Sequence, residues 1–130
     1  MKGLDTNVLV RLYTNDTPEQ AQRAQNLLDD SAREELLVHP LTLLEAEWVL
    51  RDQYEATKAQ VIDFFEQVLT LPAIIVADES AVRKALFGYQ NGRAEFADYL
   101  IASVNESAGA RSTYTFDKKA AREPSFELVP

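Results

Sequence analysis

The 130-residue sequence contains no cysteine and one histidine, His39. Disulfides, thiolate metal sites and cysteine nucleophiles are therefore excluded, and a histidine-rich zinc centre nearly so. No apolar stretch approaches the roughly 20 residues of a membrane-spanning helix. The N-terminus carries Asp5 in place of an uninterrupted apolar run, which argues against a secretory leader. A soluble, cytoplasmic protein with no membrane partner is the expectation. Basic residues are also scarce, 13 Lys and Arg against 21 Asp and Glu, for a formal charge of −8. Taken alone, that balance disfavours a polyanionic partner. The objection lapses if several acids surround divalent cations, because the bound ions offset their charge. What is present is 46% hydrophobic over the length of one ordinary domain, enough for a core without covalent staples. One domain spanning 1–130 is expected.

Along the chain, Leu4 ends a short strand and "TNVLVRLYT" continues as helix until Asn15-Asp16-Thr17-Pro18, a stop and restart signal. "PEQAQRAQNLLDD" reads as an amphipathic helix and "ELLVHP" as a buried strand bounded by Pro40. "LTLLEAEWVLRDQY" and "TKAQVIDFFEQVLTL" form an expected αα-hairpin closed by Pro72. "AIIVA" is a β-branched strand, and "DESAVRKALFGYQ" is a helix with Asp78 as its cap, broken at Asn91-Gly92. "AEFADYLIASVNESAG" is a helix ending at Gly109. "RSTYTF", "DKKAAR" and "FELV" complete the chain as strand, short helix and strand. Strands alternating with helices predict an α/β fold, a three-layer α/β/α sandwich with a central, mostly parallel sheet. In such sheets ligands bind beyond the carboxyl ends of the strands.

Four acidic positions draw attention within that scheme. Asp5 and Asp117 each follow a strand and precede a helix, which places both on the ligand-binding rim or makes each a helix cap. Glu45 has Leu41, Trp48 and Val49 as its helix-surface neighbours, where a carboxylate is costly unless paired or bound to metal. Glu47, directed towards Leu43, Leu50 and Tyr54, competes with it, and periodicity does not choose between them. Glu95 and Asp98 are three residues apart with no Lys or Arg one turn on, so a cation is wanted there or the pair is an exposed acidic face.

The segments "GLDTNVLVRLYTND", "LTLLEAEWVL", "EFADYLIA" and "TYTFDKKAAR" together resemble the PIN-domain ribonucleases of the VapC toxin type, over almost the whole chain. The resemblance implies that the acidic site residues fall on Asp5, Glu45, Asp98 and Asp117, which resolves the choice between Glu45 and Glu47. It places Thr6, Asn7 and Thr115 at polar supporting positions flanking them. Glu95 departs from the family, where many relatives have Asp; its longer side chain leaves direct metal ligation open.

Carboxylates without Cys or clustered His suit hard cations, Mg²⁺ with Mn²⁺ as a substitute, and phosphodiester hydrolysis by metal-activated water, leaving 5′-phosphate and 3′-hydroxyl ends. Arg93, Lys118, Lys119 and Arg122 stand near the acids and are candidate RNA contacts, or else members of solvated faces. The resemblance further implies a structured RNA substrate such as tRNA, a cognate VapB-like antitoxin occupying the active-site groove, and a homodimer. Two other readings remain. "LDTNVLV" is similar to the nucleophile loop of haloacid-dehalogenase-type phosphatases, but Asn7 and Leu9 stand where a second Asp and a Thr are required. A PIN-like module that binds without catalysis is the other.

Overall fold

In the computed structural model, residues 1–30 and 34–130 are described. The chain divides into two compact units, Met1–Ala77 and Asp78–Pro130. All strand pairing in both is parallel, and the fold class is α/β.

The first unit begins with β1 (Lys2–Gly3), then α1 (Thr6–Thr14), α2 (Pro18–Asp29), β2 (Leu36–Val38), α3 (Pro40–Gln53), α4 (Lys58–Thr70) and β3 (Ile74–Val76). Its sheet has the order β1-β2-β3, with Lys2 opposite Leu36 and Leu36 opposite Ile74. The predicted punctuation is seen in detail. Asn15 closes α1 in the left-handed region at φ 53°, which an Asn tolerates, and Pro18 enters α2 at its first turn. Pro40 bounds the strand as expected and also opens α3, where its missing N–H has no helical acceptor to lose. Thr57 and Gln60 form a capping box that starts α4. The core gathers Leu9, Val10, Val38, Leu43, Leu50, Val61, Phe64 and Phe65, all essentially inaccessible. Phe64 meets Phe65 at 5.3 Å and Tyr13 edge-on at 5.5 Å.

The second unit contains α5 (Glu79–Asn91), α6 (Phe96–Ser107), β4 (Thr113–Thr115) and β5 (Phe126–Leu128), the two strands pairing with each other. Helices α5 and α6 pack closely, with Tyr89 edge-on to Phe96 at 5.7 Å. Gly109 at φ 102° takes the left-handed position after α6, as expected of a C-terminal glycine.

Three local expectations are corrected. "DKKAAR" forms no α-helix, only a 3₁₀ turn over Ala120–Arg122, because Asp117 and Pro124 leave too few residues to propagate one. Asp78 occupies the cap position of α5 at φ 52°, but its carboxylate accepts from the Ser107 hydroxyl (2.9 Å) and caps nothing. Helix α6 starts at Phe96, two residues later than the periodicity implies, so Glu95 is its N-cap.

Candidate metal centre

In the first unit, Asp5 follows β1 and is the N-cap of α1. Its Oδ1 accepts the N–H of Thr6 at 2.7 Å, and its side chain is exposed. Thr6 beside it is buried, and Asn7 is exposed on the first turn. Asn7 also lines a pocket of about 550 Å³ with Arg11, Gln20 and Arg23. Arg11 is held there by a 2.8 Å bond from its Nε to Gln20 Oε1. Neither arginine was singled out by the sequence reading, although Arg11 lies one helical turn after Asn7, a spacing that puts both on one face.

On α3 the two glutamates part company. Glu47 is 2% exposed and its Oε1 accepts from Arg51 Nε at 2.8 Å, one turn on. Glu45 is exposed, with Leu41 (70%) and Trp48 (51%) exposed on either side of it. The expected burial cost at Glu45 is therefore absent, since two of its three apolar neighbours themselves face solvent. Glu47 bears the burden that the pattern could not assign, and the i, i+4 Arg51 in the sequence was the available signal.

In the second unit, Asp98 sits in the first turn of α6 and its Oδ2 accepts the N–H of Glu95 at 3.2 Å, half of a capping box between the two residues. The partial positive charge of a helix N-terminus favours both acids, so their repulsion alone does not call for a cation. Next in sequence, Tyr99 is buried over α5: a Cβ on Gly92 would lie 1.8 Å from its phenolic oxygen, and one on Gly88 2.6 Å from its ring. That oxygen accepts the N–H of Ala94 (3.2 Å) and donates to Glu123 Oε1 (2.7 Å). Burial, and then the Glu123 carboxylate, raise the Tyr99 pKa above the usual phenol value. Tyr99 thus ties the start of α6, and Asp98 with it, to the segment after the 3₁₀ turn.

Asp117 follows β4, as predicted, and turns the chain. Its Oδ1 accepts the N–H groups of Lys119 (2.8 Å) and Ala120 (3.4 Å), while its own N–H donates to Thr115 Oγ1 (3.0 Å). Thr115 thus supports Asp117 directly. Arg93, Lys118, Lys119 and Arg122 are all exposed.

Asp5, Asp98 and Asp117 share a design: one carboxylate oxygen is fixed by backbone N–H groups and the other makes no hydrogen bond among the described residues. A hard divalent cation takes such oriented oxygens, so the donor chemistry of each suits one. Among the described residues, no group of three or more His, Asp or Glu stands at metal-holding distance.

The defining sequence pattern of the PIN domain matches residues 3–124, which takes in every one of these positions. The chain belongs to the PIN-domain family. PIN domains are generally nucleases, commonly metal-dependent, and the phosphatase reading is set aside. Among curated proteins, none matches the chain. No helix among the described residues is long and apolar enough to cross a membrane.

Proposed function

We propose that this PIN domain is a VapC-type toxin: a Mg²⁺-dependent endoribonuclease that cuts structured RNA such as tRNA and is silenced by a cognate VapB-like antitoxin. The observation that carries this reading is the family match across 3–124, with carboxylates at Asp5, Glu45, Asp98 and Asp117 and backbone N–H groups fixing three of them. Both units work as one nuclease domain, and the four carboxylates serve one reaction.

When bound, the divalent ion, Mg²⁺ or Mn²⁺ in its place, acidifies water and offsets charge at the phosphorus. Asp5, Asp98 and Asp117 are the residues that would hold it. Glu45, solvated and unpaired with Arg51, would orient the attacking water or add a further ligand. Glu95, at the N-cap of α6, stays open as a further ligand. Asn7 and Thr6 support Asp5, and Thr115 keeps the turn at Asp117 closed. Arg93, Lys118, Lys119 and Arg122, joined by Arg11, hold phosphates by charge-assisted contacts. A homodimer in the cytoplasm is the working form.

Expression in cells with mapping of new RNA 5′ ends tests the toxin reading. Growth should slow, discrete 5′-phosphate ends should accumulate, and a small partner encoded alongside should relieve both. Normal growth with abundant soluble wild-type protein and no new ends refutes it.

A further inference from the structure

Two large aromatic side chains stand in solvent immediately ahead of Asp117: Tyr114 is 66% exposed and Phe116 84%. Tyr114 is the central residue of β4 and Phe116 sits in the bend that follows the strand, two residues on. The threonines on either side of Tyr114 are engaged elsewhere: Thr113 Oγ1 accepts from the Asn105 amide at 3.0 Å, and Thr115 Oγ1 from the Asp117 N–H. Within the next six residues come Lys118, Lys119 and Arg122, all exposed and none in an ion pair among the described residues. The cross-strand neighbour of Tyr114 is Glu127, whose carboxylate is taken by the Ser112 hydroxyl.

Exposed ring faces beside uncompensated cations are what a single-stranded nucleic acid requires, since its bases need stacking partners and its phosphates need charge. A duplex has already stacked its bases and uses only the cations. An apolar protein partner would use the rings and leave three cations idle. We propose that Tyr114 and Phe116 form a stacking platform for unpaired RNA bases, with Lys118, Lys119 and Arg122 following the phosphates towards Asp117. The site thereby selects an unpaired stretch within its substrate. This rests on the RNA reading above and extends it.

The test uses metal-chelated protein and an oligouridylate, so that binding is read without cleavage. In Phe116→Trp the indole emission should be quenched saturably by the oligouridylate and much less by duplex RNA of equal length. Tyr114→Ala and Phe116→Ala should each weaken oligouridylate binding by about tenfold. With Mg²⁺ present the same variants should raise KM and leave kcat within about twofold. Equal affinity of wild type and alanine variants, or of duplex and single strand, overturns the platform. So does conversion of a dimer to a monomer by either variant with RNA affinity unchanged, which makes the aromatic pair a contact between copies. Wild type that binds oligouridylate through these rings but cuts no RNA in Mg²⁺ defeats the nuclease reading and leaves the platform standing. Cleavage with KM unchanged in the variants does the reverse.

Discussion

Replacing Gly92 by alanine tests whether the Tyr99 anchor organises the second unit. Gly92 has φ −116°, which any residue adopts, so backbone strain plays no part. The obstacle is space: the new Cβ would meet the Tyr99 oxygen at 1.8 Å, Cζ at 2.9 Å and Glu123 Oε1 at 3.0 Å. The ring must shift, and with it go the bonds to Ala94 and Glu123. Overpacking costs about 1–3 kcal/mol. Two lost hydrogen bonds add about 1 kcal/mol each. A gain of about 0.4–1 kcal/mol from a stiffer unfolded chain offsets part of this, leaving a net loss of about 2–4 kcal/mol. In a Tyr99→Phe background the closest atom and both bonds are already gone, so Gly92→Ala should cost about 1 kcal/mol, a coupling of about 1–3 kcal/mol. Urea unfolding of the four proteins measures it. A Gly92→Ala cost that is equal in both backgrounds, or negligible in the wild type, refutes the argument. Because Asp98 follows from the same helix start, the single variant should also lose nuclease activity.

Three further outcomes follow from the same geometry. Glu47→Leu, which replaces a buried carboxylate by an apolar side chain, should leave thermal stability unchanged or higher, whereas Glu45→Gln should leave stability alone and abolish cleavage; thermal melts and RNA cleavage on the two proteins separate the roles. Asp98→Asn keeps an oxygen for the Glu95 N–H but removes charge at the N-terminus of α6, so it should cost about 0.3–1 kcal/mol in a melt while eliminating metal-dependent cleavage. Since the folded pKa of Tyr99 lies above the unfolded value of about 10, its contribution to stability is complete below that pH and is lost as pH rises through the folded value; alkaline titration of phenolate absorbance, wild type minus Tyr99→Phe, should show this tyrosine titrating late.

Element type was legible wherever a cap or breaker coincided with a change of period, as at Pro18, Thr57 and Gly109. Boundaries failed where side chains answered a tertiary demand. The start of α6 moved because side chains of the helix cap the N–H groups ahead of it, Asp98 that of Glu95 and Tyr99 that of Ala94, and the segment after Asp117 stayed short because that carboxylate closes a tight turn. Asp5 and Asp117 were legible as carboxylates that follow a strand, while which of Glu45 and Glu47 is buried depended on which face of α3 meets the core. A helix this rich in apolar residues around its circumference does not declare that face. The Tyr99 anchor was invisible in the sequence, since the spacing of Gly88 and Gly92 has meaning only once a ring lies against them.

The central claim is that Asp5, Glu45, Asp98 and Asp117 serve one metal-dependent hydrolysis. Its most direct test is cleavage of total RNA by purified protein in Mg²⁺, in Mn²⁺ and in excess chelator, for wild type and for Asp5→Asn, Glu45→Gln, Asp98→Asn and Asp117→Asn, with the product ends identified. The account predicts cleavage by wild type in either metal, 5′-phosphate and 3′-hydroxyl ends, none in chelator, and loss in all four variants. Cleavage that persists in chelator, leaves cyclic phosphate ends, or survives in any one of the four contradicts it.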